Sequence, residues 1–156
     1  MGKLILIKGT SGVGKSFIAN LLVQNRKSIR RHLDWDKIEK SKLIDYTKKL
    51  IKENNEVIIS EWFYPSYHNV ESILKEIELK THEIIMIELI ASLDICLERH
   101  RLKPQSFVLN NEYVIKEHYW RSKYVIDDSF SWHKINTKKS IDLIVTEIEN
   151  LLVSSF

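Results

Sequence analysis

Glycine is almost missing from this sequence. The chain of 156 residues holds four, Gly2, Gly9, Gly12 and Gly14, and none follows residue 14. Glycine is the residue that reaches positive φ at no steric cost. The chain has therefore gathered that freedom into one six-residue window. Cysteine is scarcer still. Cys96 stands alone, which excludes a disulfide framework and suits a reducing compartment. No apolar run approaches the roughly 18 residues of a membrane span, and the opening apolar stretch at 4–7 is too short for a secretory leader. The expectation is a cytoplasmic protein with no membrane partner. Neither sign of charge dominates: 24 Lys and Arg stand against 21 Asp and Glu, a net +3 that does not by itself argue for nucleic acid. The six histidines show no metal-ligand spacing, so no zinc site is expected. With 44% hydrophobic residues the chain is not disordered. Its length suits one domain, with roughly 70% of the extended chain's surface buried on folding.

The glycines mark what is present. Residues 4–7 form a short apolar run that reads as a buried parallel strand. Gly9-Thr10-Ser11-Gly12-Val13-Gly14-Lys15-Ser16 follows at once. This is G-x-x-x-x-G-K-[ST], the phosphate-binding P-loop. A phosphate chain needs several backbone N–H groups turned inward, and glycines let the backbone approach closely at the required angles. Phe17, Ile18, Leu21 and Leu22 then recur at helical spacing. The N-terminus of that helix would point N–H groups and its positive dipole end at the anion. Lys15 would reach the β- and γ-phosphates and Ser16 would hold Mg²⁺. A chance match to four fixed positions arises in about one chain of this length in a few hundred, and here the flanking strand and helix are both in place. ATP and Mg²⁺ are the expected cofactors, bound along Gly9 to Phe17.

The rest of the chain alternates. Strands are expected at 30–35, 56–61, 83–90 and 132–136. Helices are expected at 37–54, 67–80, from Leu93 to about His100, at 112–125 and at 140–152. Asn25, Asn54-Asn55 and Asn150 are the candidates to replace glycine at helix ends. The alternation gives an α/β chain, with helices on both faces of a five-stranded parallel sheet. Ligands of such sheets gather at the carboxyl ends of the strands. The second strand ends in Asp34-Trp35-Asp36, the third in Ser60-Glu61-Trp62-Phe63-Tyr64, and the helix after the fourth carries Arg99 and Arg101. Acids for metal and base, with arginines for moving charge, suit phosphoryl transfer.

On these residues the chain resembles the small P-loop kinases: shikimate, gluconate, adenylate and nucleoside kinases, and antibiotic phosphotransferases. The resemblance implies a three-layer P-loop NTPase fold with a short lid, at about 102–111. Leu33-Asp34-Trp35-Asp36-Lys37-Ile38-Glu39 is similar to the D-x-D-x-x-I-E stretch of shikimate kinases, where the first acid supports Mg²⁺ and the second binds or deprotonates the acceptor hydroxyl. Leu97-Glu98-Arg99-His100-Arg101-Leu102-Lys103-Pro104 looks like their arginine-bearing helix end and lid. Ile135-Asn136-Thr137 with Ser140 is similar to their final strand and adenine-side loop. Two departures argue against shikimate itself: no glycine run follows the third strand, and no arginine lies between Arg31 and Arg99.

The expected roles are Lys15 on the phosphates, Asp36 as base, Arg99 and Arg101 on the transferring group, and Ser16, Asp34 and Glu61 on the metal side. Each acid also has a plainer reading, as a helix cap, a dipole partner or a surface carboxylate. Trp62, Phe63, Tyr64 and Tyr67 would wall a pocket for a flat ring or cap the sheet edge. Arg99 and Arg101 lie about 200° apart on an ideal helix, so they share one phosphate only if the helix stops near His100. The function expected is transfer of the γ-phosphate of ATP to a small-molecule acceptor. Two alternatives share the loop. One is a polynucleotide 5′-end kinase or repair module, using Lys116, Tyr119-Trp120-Arg121 and Lys123. The other is an ATPase with no phosphorylated product. The D-x-x-G and N-K-x-D of GTPases are absent.

Overall fold

The strand Leu4–Lys8 (β1) is buried along its whole length, and its alternate side chains divide the molecule into two cores. Ile5 and Ile7 face one way and pack with Ile18, Ala19 and Leu22 of the helix Lys15–Gln24 (α1). Leu4 and Leu6 face the other way and join Leu43, Ile44, Leu50 and Ile51 of the helix Lys40–Lys52 (α2). Full burial of a Leu or Ile side chain contributes roughly 1.5–3 kcal/mol. A strand apolar on both faces is thus the natural centre of the sheet.

The structure is a computed structural model. It describes residues 2–10, 12–25, 29–34, 38–61, 70–78, 83–102, 112–124 and 131–154. The remaining elements are Arg30–Asp34 (β2), Glu56–Glu61 (β3), Val70–Ile77 (α3), Ile84–Ile90 (β4), Leu93–Leu102 (α4), Glu112–Tyr124 (α5), His133–Asn136 (β5) and Ile141–Ser154 (α6). All four strand pairings are parallel, in the order β2-β3-β1-β4-β5. Ile144, Ile148 and Leu152 of α6, with Cys96 and Leu97 of α4, complete the core on the α1 side. Leu74 and Ile77 of α3 complete the other. The result is three layers. The chain leaves β1 toward β2 and later returns to the opposite side of β1 through β4. The strand order therefore reverses at the carboxyl end of β1, where ligands of such sheets bind.

Among the described residues, expectation and structure agree on every element, with some ends shifted by a few residues; the expected ends at 35, 37, 67, 80 and 125 lie outside them. The scarcity of glycine is met in different ways at different helix ends. Asn54 takes φ +62 beyond α2, and Glu78 takes φ +58 beyond α3. Asn25 ends α1 at φ −84, its N–H on the Leu21 carbonyl. Asn150 does not end a helix, because Leu151 and Leu152 carry the buried face of α6 onward to Ser154. Among the described residues, no helix is long and apolar enough to cross a membrane.

Candidate functional site

The P-loop leaves the end of β1 and tightens at once. Val13 N–H donates to the Thr10 carbonyl at 3.2 Å. Gly12 sits at φ +85 and Gly14 at φ +101, in the left-handed region that disfavours other residues. Gly12 is also required by contact. A Cβ there would lie 2.6 Å from the Cys96 carbonyl oxygen, because α4 packs its backbone against the loop. Gly9 is pinned in the same way, since its Cβ would meet the Leu89 carbonyl at 2.8 Å. Gly14 is the N-cap of α1, with no side-chain cap bond and no acid in the first turn. The helix end thus keeps its positive character for an outside anion. Lys15 arches back over this loop, its ammonium donating to the carbonyls of Gly9 at 2.6 Å and Thr10 at 3.2 Å. Ser16 and Phe17 are exposed on the first turn of α1.

The acids are set by strand register. Asp34, half-buried at the end of β2, lies level with Ser60 of β3, and Ser60 lies level with Ile7 of β1. Glu61 lies one step further on, level with Lys8 of β1, which is in turn level with Glu88 of β4. Asp34 and Glu61 are therefore out of phase in the sheet. Asp36, Ser11, the aromatic residues at 62–64 and 67, and the lid beyond Leu102 lie outside the described residues, as does the Glu61 side chain.

The two arginines do not converge. Helix α4 continues through Leu102 rather than stopping near His100. Arg99 turns to the P-loop. Its Nη1 donates to the carbonyls of Val13 at 3.0 Å and Gly12 at 3.4 Å, and to the Thr137 hydroxyl at 3.1 Å; its Nη2 donates to the Thr137 carbonyl at 3.1 Å. Arg101 turns outward to Glu112 of α5 at 2.6 Å, and this neighbour holds the Glu112 carboxyl below its usual range. Arg121 pairs with Glu117 at 3.1 Å, one turn back on α5. Cys96 lies fully buried beneath the loop, its Sγ 3.6 Å from the Thr10 hydroxyl. Burial pushes its thiol pKa up, partly offset by the Thr10 hydrogen bond and by the charges of Arg99 and Lys15.

Three groups at this end of the sheet make contacts that escaped the sequence reading. In the first, His32 of β2 bridges Asn20 of α1 and Ser60, with Nδ1 3.1 Å from Asn20 Oδ1 and Nε2 2.7 Å from Ser60 Oγ. With an acceptor at Asn20 Oδ1, the neutral ring carries its proton on Nδ1, and Nε2 then accepts from the Ser60 hydroxyl. The second is Lys8, wholly buried just before Gly9. Its ammonium lies 3.3 Å from Glu88 and 4.3 Å from the centre of the Trp132 ring. The third is Thr137. A charged residue ending an apolar strand was the available signal for Lys8. The partners of His32 and Thr137 depend on inter-strand register and left no local pattern.

No protein-family model matches the chain, and no curated protein matches its sequence. Solved structures match its fold. An unliganded sugar kinase from Janibacter sp. HTCC2649 superposes with a TM-score of 0.67 at 10% identity, over 97% of this chain and 95% of that one. The tunicamycin resistance protein of Deinococcus radiodurans gives 0.68 at 17%, over 97% and 96%. The APS kinase of Mycobacterium tuberculosis, in complex with AMPPNP and APS, gives 0.57 at 16%, over 97% of each chain. The chain has the fold of the P-loop kinases, as its loop and its alternation of strands and helices led one to expect.

Proposed function

We propose that this protein is an ATP-dependent kinase that phosphorylates a small molecule. One observation carries the reading. A G-x-x-x-x-G-K-S loop, with Gly12 and Gly14 at positive φ, opens an uncapped helix at the point where the order of a parallel sheet reverses. The neighbours support it: one is a sugar kinase, and another is an APS kinase in complex with AMPPNP.

The residues present fit Mg²⁺ with ATP. Among the described residues no three His, Cys, Asp or Glu cluster as ligands, but Mg²⁺ with a nucleotide needs only one or two protein oxygens, the rest coming from phosphate and water. The exposed Ser16 hydroxyl and Asp34 at the end of β2 are the proposed donors, with Glu61 a further carboxylate on β3. Bound there, the metal neutralises charge on the terminal phosphates. The chain's own residues supply the rest. The loop amides and the end of α1 hold the phosphate chain in place, and the Lys15 ammonium follows the charge that develops during transfer. Asp36 takes the proton of the acceptor hydroxyl. Arg99 adds fixed positive charge beside the loop, and Arg101 joins it only if released from Glu112. The reading places the enzyme in the cytoplasm, where Cys96 stays a thiol.

The test is ATP consumption against a panel of sugars, nucleosides, nucleotides, aminoglycoside and phenicol antibiotics, and 5′-hydroxyl oligonucleotides. Stoichiometric phosphorylation of one small molecule, abolished by Lys15→Ala, is expected. Transfer to oligonucleotides alone, or slow hydrolysis with every acceptor, would overturn it.

A further inference from the structure

Arg99 does something more specific than add charge near phosphate; the argument deepens the kinase reading and rests on it. Among the described residues, the four acceptors of its guanidinium are neutral oxygens of the protein: the carbonyls of Gly12 and Val13, and the hydroxyl and carbonyl of Thr137. Thr137 is a firm anchor. It is buried, and both its N–H at 2.8 Å and its hydroxyl at 3.3 Å are fastened to the Ile90 carbonyl at the end of β4. The guanidinium is thus a rigid fork between the sheet and the loop, a geometry that lysine does not reproduce.

The carbonyl and N–H of a trans peptide point in opposite directions. A guanidinium that draws the Val13 carbonyl toward α4 therefore turns the Gly14 N–H of the same peptide away from α4. The Gly12 carbonyl is drawn the same way, but the Val13 N–H of that peptide is already taken by Thr10 within the loop. Helix α4 fills one side of the loop, with its Cys96 carbonyl against Gly12. An anion entering from the side away from α4 meets the Gly14 amide. We infer that Arg99 is a positioning residue: bridging Thr137 and the P-loop carbonyls, it sets the Gly14 peptide in the orientation that receives phosphate before any nucleotide arrives.

The scarcity of glycine makes this directly measurable. Labelling with ¹⁵N-glycine yields resonances from four residues only, three of them in the loop. In nucleotide-free protein, Arg99→Ala is expected to shift the Gly12 and Gly14 amide resonances and leave Gly2 in place. Thr137→Val keeps every charge and removes one hydroxyl; it is expected to move the same two resonances by less. Calorimetry with MgATP and with inorganic tripolyphosphate should show at least a tenfold loss of affinity for both ligands in Arg99→Ala. Arg99→Lys should fall nearly as far, and added guanidinium ion should restore much of the affinity of Arg99→Ala. Loop resonances unmoved in the nucleotide-free variants would overturn the inference, even if affinity fell, because that pattern marks a direct phosphate contact. Full affinity in Arg99→Lys would overturn it as well. If Arg99→Ala does not fold, Thr137→Val and Arg99→Lys still decide. Wild-type protein that binds neither ligand would sink the kinase reading, while the glycine resonances would still judge the role of Arg99.

Discussion

At the scale of single residues, the loop tolerates very little. Gly12 is fixed twice, by φ +85 and by the Cys96 carbonyl 2.6 Å from any Cβ. A residue other than glycine in such a conformation costs on the order of 1–3 kcal/mol, and the backbone contact forces the loop away from α4 as well. Gly12→Ala should therefore lower MgATP affinity tenfold or more in calorimetry while the far-ultraviolet circular dichroism stays that of the wild type. Gly2 gives the contrast. It too lies against backbone, 1.8 Å from the Asn55 oxygen at its virtual Cβ, but it packs on the turn between α2 and β3. Substitution there should reduce thermal stability without a selective loss of nucleotide.

At the scale of elements, the amino end of the sheet is held by one buried arginine. Arg30, 5% exposed at the start of β2, ion-pairs with Glu149 of α6 and with Glu56 of β3 at 2.7 Å, and donates to the Leu22 carbonyl of α1 at 2.9 Å. Removing the arginine leaves the part-buried carboxylates of Glu56 and Glu149 uncompensated; breaking a fully buried pair this way loses roughly 3–5 kcal/mol, and these two, 16% and 17% exposed, lose less. Arg30→Met should lower the urea midpoint accordingly. The variant should still bind MgATP below its unfolding transition, since the P-loop lies at the opposite end of the strands. None of this was visible in the sequence. What could be read was periodicity: β3 was placed at its observed bounds because EVIISE is an apolar run between polar flanks, and α1 to within one residue of its end because its apolar residues recur at 3.6. The P-loop was legible because its constraint is local, three glycines and a lysine in eight positions. The partners of Arg30, His32 and Arg99 were not, because each joins residues that only the sheet register or helix packing brings together. Arg101 shows the same limit. Its direction depended on where α4 ends, and helix ends are the least certain feature of a periodic pattern.

At the scale of the whole molecule, the two outer strands are guarded differently from the buried centre. In β5 only Ile135 is buried, while His133, Lys134 and Asn136 are exposed. Polar and charged side chains on an edge strand discourage pairing with another chain. The same edge carries an acid-sensitive joint to the last helix. Glu147 of α6 meets His133 of β5 at 3.0 Å and Lys139 at 3.2 Å. The His133 hydrogen bond, more than Lys139, holds the Glu147 carboxyl below its usual value of 4.5. A carboxylate depressed in the folded state stabilises fully above its unfolded pKa, and that contribution is lost as pH falls through the folded one. The melting temperature should therefore drop on acidification below about pH 4.5 more steeply in wild-type protein than in Glu147→Gln. Equal slopes in the two proteins would remove this joint from the acid response.

The placement of Cys96 has a practical corollary. The molecule owns a single sulfhydryl, buried under the phosphate loop and pushed by its surroundings toward the unreactive thiol. An alkylating reagent can reach it only when α4 and the loop part company, so the labelling rate becomes a clock for that parting. A ligand seated on the closed form slows the clock in proportion to its occupancy. Unknown acceptors and nucleotides could then be ranked by mass spectrometry on one atom, with no assay of turnover.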